Sequence, residues 1–180
     1  MKKNWAYKLL ERNGWTINLV QELPSKCVIC VAPHTSNWDF IIGLLVKYAL
    51  HIKANFFMKK EWFFFPMGYL MRSLGGIAIQ RDKKLRMTDQ MAAEFEKHET
   101  LCVAITPEGT RSYNPDWKKG FYFIAEKAGI PIVFAALDFK KKEIKLGDQF
   151  TPTGDVDADM AQIKAYYKDI NAKFPEKFGM

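Results

Sequence analysis

The chain has 180 residues, 48% of them hydrophobic, so it can bury one sizeable core, and we expect a single domain over residues 1–180. Its net charge of +7 favours anionic partners such as phosphates, anionic lipids or nucleic acid, and its three cysteines exclude a disulfide framework. No apolar run reaches the roughly 20 residues that a membrane-spanning helix needs, and charged residues interrupt the amino-terminal segment. We therefore expect no signal peptide and no transmembrane helix, and a location in the cytosol or peripherally on the cytoplasmic side of the cell membrane.

Strands and helices are predicted to alternate along most of the chain. Short β-branched runs predict strands at residues 26–33, 54–58, 76–80, 101–106 and 132–138, with 143–146 pairing with the last. Helical spacing predicts helices at residues 1–14, 38–50, 61–74, 88–99, 120–127 and 157–173, the first with Trp5, Leu9 and Leu10 on its apolar side and the third broken near Pro66. This alternation predicts an α/β fold with a mixed, mostly parallel sheet covered by helices, and it leaves the strand order open.

Four residues separate His34 from Asp39 directly after the predicted strand 26–33. Active sites of α/β folds lie at the carboxyl ends of strands, and an aspartate that accepts the Nδ1 proton of a histidine leaves Nε2 free as a base. The pair is therefore a candidate general base with its orienting carboxylate. In the alternative interpretation, Asp39 caps the next helix and His34 is a polar loop residue. Ser36 is expected to cap that helix or to hydrogen-bond within the loop.

A second polar cluster, Pro-Glu-Gly-Thr-Arg-Ser at residues 107–112, follows the predicted strand 101–106. Parallel strands would bring it to the same edge of the sheet as His34. Arg111 and Thr110 offer donors to a phosphate, Gly109 lets the backbone approach a ligand, and Glu108 could orient an arginine or a substrate hydroxyl. The alternative is a turn closed by an internal ion pair.

Arg81 follows a third predicted strand, and its planar guanidinium suits a phosphate. The alternative is a surface arginine paired with Asp82. Cys27 and Cys30 are three residues apart within a predicted strand, which places their side chains on opposite faces. With no second cysteine or histidine pair, no metal site is expected, and the cysteines are interpreted as core residues.

Six aromatic residues lie within residues 57–69, and lysine and arginine flank them. Aromatic rings beside cations suit a membrane interface, whereas the alternative is a helix that packs its rings on the sheet. No basic recognition helix or aromatic RNA-binding signature is present, so nucleic acid is not expected as a partner.

Together these segments resemble the PlsC-like glycerolipid acyltransferases, the lysophosphatidic acid acyltransferase family. The matching blocks follow in the family's order: His34 with Ser36 and Asp39; residues 76–81, which end in Arg81; the intact residues 107–112; and the apolar residues 130–133. The motif-bearing core covers about residues 26–138 of one acyltransferase domain. Thr35 departs from the family, which often has arginine or glutamine there.

The resemblance implies a glycerol-3-phosphate acyltransferase-like fold and a membrane-associated enzyme of phospholipid biosynthesis. Such an enzyme moves a fatty acyl group from acyl-CoA or acyl carrier protein to a hydroxyl of a lysophospholipid, without a cofactor or metal. His34 would be the base and Asp39 its orienting residue. Ser36, Arg81, Glu108, Gly109, Thr110 and Arg111 would line the acceptor site.

The sequence leaves three alternatives open. The acceptor could be an aminolipid, a glycolipid precursor or an unphosphorylated alcohol. The chain could hydrolyse the thioester, or it could be a non-catalytic module that binds anionic lipid or nucleic acid.

Overall fold

The computed structural model of the chain describes residues 3–79 and 87–180. The described residues form one seven-stranded sheet in the order β1-β7-β6-β2-β5-β3-β4. Its strands are β1 Thr16–Leu19, β2 Lys26–Ala32, β3 Ala54–Lys59, β4 Gly76–Ile79, β5 Leu101–Ile105, β6 Ile132–Asp138 and β7 Glu143–Phe150. All neighbouring strands are parallel except β6 and β7, which pair antiparallel. The predicted α/β class and mostly parallel sheet are confirmed.

Six helices cover the sheet within the described residues. They are α1 Trp5–Arg12, α2 Asn37–Ala49, α3 Met67–Ser73, α4 Met87–Glu96, α5 Gly120–Ala128 and α6 Val156–Tyr167, with short 3-10 helices at Lys60–Trp62 and Pro175–Lys177. The predicted helix 61–74 is divided into the first 3-10 helix and α3, since the ring of Pro66 cannot continue a helix.

Two sequence predictions about these elements are wrong, and one strand was not predicted. Helix α6 ends at Tyr167 rather than at residue 173, because the chain turns to place the carbonyl of Asn171 against the N–H of Phe139, 2.8 Å away. Helix α1 buries Ala6 and Leu10, whereas Trp5 and Leu9 are exposed. Strand β1 was not predicted, because an edge strand with mostly exposed side chains lacks a strand-like apolar pattern.

Strand β2 lies at the centre of the sheet and is buried on both faces, which explains its continuous apolar run. Cys27 packs with α1 and α2 on one face, whereas Cys30 packs with α5 and α6 on the other. All three cysteines are free and buried, as predicted for core residues.

The register of β2 against β5 positions the candidate site. Cys30 lies opposite Ile105 in this parallel pair, so both strands deliver their following loops to the same edge of the sheet. The loop that carries His34 and the loop that carries Glu108 are therefore neighbours, as the sequence predicted.

Candidate active site

The loop between β2 and α2 is organised around the carboxylate of Asp39. Its Oδ2 accepts hydrogen bonds of 2.7 Å from the backbone N–H groups of Thr35 and Ser36, and its Oδ1 accepts one of 3.0 Å from the Ser36 hydroxyl. Ser36 is the N-cap of α2 and Asp39 is the third helical residue, so this is a capping-box arrangement at a helix terminus that favours negative charge. Ser36 and Asp39 are both buried.

Asp39 also faces the imidazole of His34. The Nδ1 atom of His34 lies 3.5 Å from Asp39 Oδ2, which is longer than a strong hydrogen bond but close enough to orient the ring. The same carboxylate therefore caps α2 and faces the ring of His34, so the capping and orienting interpretations do not exclude each other. The His34 side chain is 16% exposed, so a substrate can reach its ring.

Burial lowers the pKa of His34 below its ordinary value of 6.5, and the positive charge of Arg111 lowers it further, although the Asp39 carboxylate acts in the opposite direction. The imidazole is therefore neutral at pH 7. With Nδ1 turned to Asp39, the lone pair of a neutral ring falls on Nε2, which is the state that a general base requires.

Glu108 holds the same loop from the neighbouring strand. Its side chain is 0% exposed, and its Oε1 accepts a 2.6 Å hydrogen bond from the backbone N–H of His34. Its Oε2 has no hydrogen-bond partner among the described residues. Burial raises the pKa of Glu108 to about 7, partly opposed by the bond from His34. Glu108 therefore contacts the base loop, and the internal ion pair with Arg111 that the sequence left open is not formed.

The residues that follow Glu108 in the segment 107–112 turn towards solvent. Gly109 has φ of +66°, a left-handed conformation that glycine adopts without strain, and the chain behind it exposes Thr110 and Arg111. The hydroxyl of Thr110 accepts a 3.2 Å bond from the N–H of Ser112. Arg111 makes no ion pair within the described residues, so its guanidinium is available to an anion near His34. Arg81, the remaining predicted site residue, lies outside the described residues.

Other residues fix these two loops, and no local sequence pattern points to them. Asn114 donates a 2.8 Å bond to the carbonyl of Glu108, and the N–H of Phe174 donates a 3.3 Å bond to the hydroxyl of Thr35. Tyr167 donates a buried 2.7 Å bond to the carbonyl of Cys30, two residues before the end of β2. Thr35 and Phe174 are 139 residues apart in the chain, a separation that no local pattern spans.

An apolar pocket lies between α2 and the face of the sheet that α2 covers. Ile29 and Val31 of β2, Gly43 and Val46 of α2 and Leu137 of β6 are among the residues that line it. A Cβ atom at Gly43 would meet no atom within 4 Å, so this glycine leaves space beside the pocket.

The aromatic segment after β3 is largely exposed. Relative exposure is 51% for Trp62, 56% for Phe64, 83% for Phe65 and 69% for Tyr69. These four rings do not pack on the sheet, so the interpretation as a core helix is wrong for them.

Among residues 3–79 and 87–180, no group of three or more histidine, cysteine, aspartate or glutamate side chains is arranged to hold a metal ion. In the same part of the chain, no helix combines the length and the apolar character needed to cross a membrane.

The fold and the two loops at its carboxyl edge define an α/β acyltransferase. Residues 16–137 match the family model described as Acyltransferase, and the chain belongs to this family, which confirms the predicted family and enzyme class. No curated protein sequence matches the chain significantly. Among solved structures, the fold is similar to that of the 1-acyl-sn-glycerophosphate (LPA) acyltransferase PlsC from Thermotoga maritima, with a TM-score of 0.61 and 16% identity over 94% of this chain and 78% of that one.

Proposed function

We propose that this acyltransferase moves a fatty acyl group from acyl-CoA or acyl carrier protein to a hydroxyl of lysophosphatidic acid or a related lysolipid, in phospholipid biosynthesis. The observation that carries the proposal is the geometry of His34, whose Nδ1 lies 3.5 Å from Asp39 Oδ2 and whose backbone N–H is held by Glu108. The name of the similar PlsC structure supports a lysophosphatidic acid acceptor.

In the proposed mechanism, Nε2 of His34 takes the proton of the acceptor hydroxyl while its oxygen attacks the thioester carbonyl. The Asp39 carboxylate stabilises the imidazolium. Collapse of the tetrahedral intermediate breaks the C–S bond, and the thiolate leaves with the proton that His34 returns. A positioned base of this kind contributes about 10²–10⁴-fold, or roughly 3–5 kcal/mol of barrier. No acyl-enzyme and no cofactor is required.

The acceptor phosphate is proposed to bind at the exposed side of the Glu108 loop. Arg111 is unpaired in the described structure and lies within electrostatic reach of His34, so it can place a phosphate near the base. Gly109 lets the backbone come close to the phosphate, and Thr110 offers it a hydroxyl. Arg81 is proposed as a second cation at this site. An aminolipid, a glycolipid precursor or an unphosphorylated alcohol would make less use of Arg111.

The acyl chain is proposed to enter the apolar pocket beneath α2. Ile29 and Val31 belong to the strand that leads into the His34 loop, so a chain in this pocket would extend from a thioester held at that loop. A nonpolar lining favours hydrocarbon over water.

A peripheral site on the cytoplasmic face of the cell membrane is proposed, since the acceptor is a lipid. The exposed Trp62, Phe64, Phe65 and Tyr69 suit the depth of lipid head groups, and Lys60 and Arg72 flank them.

The test is thiol release from acyl-CoA and acyl carrier protein with lipid product analysis, over a panel of acceptors led by lysophosphatidic acid. His34→Ala is the test variant and His98→Ala, at an exposed histidine away from the site, is its matched control. Release that requires both lysophosphatidic acid and His34 supports the proposal. Acceptor-independent release of free fatty acid would show a hydrolase instead. A folded wild-type protein without turnover on any donor would leave a binding module.

A further inference from the structure

A cluster of cations and aromatic rings lies at the carboxyl-terminal end of the described chain. The Nζ atom of Lys173 is 4.7 Å from the ring centroid of Trp38 and 5.9 Å from those of Phe139 and Phe174. The Nζ atom of Lys177 is 4.6 Å from the Phe174 ring. We call Trp38, Phe139, Lys173, Phe174 and Lys177 the C-terminal cluster.

The two lysines of the C-terminal cluster lack acidic partners. Within the described residues neither forms an ion pair, although Glu176 lies between them in sequence. Both cations rest on aromatic rings, which attract them more weakly than a carboxylate does and leave them open to an anion. Trp38 is 53% exposed and Phe174 is 37% exposed, so both rings face solvent, whereas Lys177 is exposed and Lys173 is partly buried.

This cluster borders the base loop on the side away from the Trp62–Tyr69 aromatic segment. Phe139 follows β6, which pairs with one edge of β2, whereas the aromatic segment follows β3, which lies beyond the other edge. The N–H of Phe174 bonds to the Thr35 hydroxyl, and Trp38 immediately precedes Asp39. The His34 loop therefore lies between two exposed aromatic and basic elements.

The first turns of α2 connect the two elements. Phe40 and Ile41 are exposed there, and the Phe40 ring packs edge-on against Phe56 of β3 with centroids 5.8 Å apart. The exposed apolar surface thus runs from Trp38, which Lys173 contacts, across the start of α2 to β3, the strand that leads into the aromatic segment.

We propose that the C-terminal cluster is a second docking site for an anionic lipid bilayer, so that the edge of the sheet that carries His34 is held on the membrane from both sides. The inference deepens the proposed function, since it rests on a membrane lipid as acceptor. Aromatic rings that stay at head-group depth beside unpaired lysines have the chemistry of such an interface. A lipid acceptor would then reach His34 directly from the bilayer.

The geometry favours a bilayer over the nucleotide part of an acyl-CoA donor. An adenine that stacked on the covered face of Trp38 or Phe174 would displace Lys173 or Lys177, which lie 4.7 and 4.6 Å from those ring centroids. A bilayer needs no free face, because the rings insert edgewise among head groups while the ammonium groups contact lipid phosphates.

The experiment is flotation of the full chain with phosphatidylcholine vesicles that contain or lack phosphatidylglycerol, without donor or acceptor. Lys173→Gln/Lys177→Gln should weaken binding to the anionic vesicles about 30-fold, since each lysine near an anionic surface contributes about fivefold. The matched control is Lys26→Gln/Lys53→Gln, which removes the same charge from the amino ends of β2 and β3 at the opposite edge and should bind as the wild type does. Trp38→Ser should also weaken binding, and it should do so at high salt as well, where the lysine contribution is screened.

Binding of the double lysine variant within twofold of its control would overturn the proposal, provided that both variants unfold as the wild type does. A second arm measures turnover of short-chain, water-soluble donor and acceptor without vesicles, where the lysine variant should match the wild type. A higher KM for the donor in that arm, with flotation unchanged, would assign the cluster to the donor and also overturn the proposal. Wild-type flotation without turnover on any substrate would instead reject the proposed function and leave the docking site standing.

Discussion

Replacement of Glu108 by glutamine isolates the effect of a buried charge on this fold. The carboxamide oxygen can still accept the bond from the N–H of His34, and the amide nitrogen replaces Oε2, which has no partner within the described residues. Glutamine thus imitates the protonated carboxyl at every pH, and the variant differs from the wild type only when Glu108 ionises.

The size and sign of the effect follow from the pKa. Burial raises the pKa of Glu108 from 4.5 to about 7, so the folded protein holds this proton more tightly than the unfolded chain does. Its contribution to stability is fully present below pH 4.5 and is lost as the pH rises through 7. At 1.36 kcal/mol for each pH unit, the wild type loses about 3 kcal/mol of unfolding free energy across that window, whereas Glu108→Gln does not.

The measurement is denaturant unfolding of both proteins between pH 5 and pH 9, a range that brackets the Glu108 pKa of about 7. Glu108→Gln should become progressively more stable than the wild type as the pH rises. The partly buried His34, whose pKa is lowered, destabilises the fold as the pH falls, but this effect is common to both proteins and cancels in the difference. A stability difference that stays constant with pH would refute the reasoning. Glu108→Ala is the contrast, because it removes the acceptor of the His34 N–H and should destabilise at every pH.

Four further outcomes are expected. The kcat/KM of the wild type should rise with pH to a plateau with its midpoint below 6.5, because burial lowers the pKa of His34; a midpoint above 7.5 would contradict this. Asp39→Asn should lower kcat by at least about 100-fold with a smaller change in KM, and a loss under fivefold would remove Asp39 from its orienting role. Gly43→Leu should shift donor preference from palmitoyl-CoA towards octanoyl-CoA in a competition assay, and an unchanged preference would place the acyl chain elsewhere. Arg111→Ala should raise KM for lysophosphatidic acid more than for a phosphate-free analogue, and equal effects would argue against a phosphate contact.

Buried, strongly patterned elements were predictable from the sequence. Strand β2 was predicted over residues 26–33 and spans Lys26–Ala32, because a strand buried on both faces is apolar throughout. Strand β1 and the true end of α6 were missed, since both depend on partners far away in the chain. β1 pairs with β7. The chain after Tyr167 contacts the residue that follows β6, because the N–H of Phe139 donates to the carbonyl of Asn171.

For the site, the sequence predicted which loops meet but not how they bind each other. Parallel strands were enough to place Glu108 beside His34. That the carboxylate would point inward to a backbone N–H, and not outward to substrate, depends on side-chain burial that spacing does not encode. The bond between Thr35 and Phe174 was equally out of reach, because it depends on the path of the chain after α6.

The register of β2 against β5 divides the Glu108 loop into two parts with different tolerance to change. Cys30 and Ile105 lie opposite each other in this pair of strands; His34 lies four residues beyond Cys30, and Glu108 lies three residues beyond Ile105. One residue inserted between Cys30 and His34, or between Ile105 and Glu108, would pull the Glu108 carboxylate away from the His34 loop. Beyond Glu108 the chain is exposed from Gly109 to Tyr113, and its sequence can vary without moving His34 as long as Asn114 still reaches the Glu108 carbonyl. A laboratory that grafts loops to change the acceptor should therefore cut after Glu108 and leave both strand-to-base spacings intact.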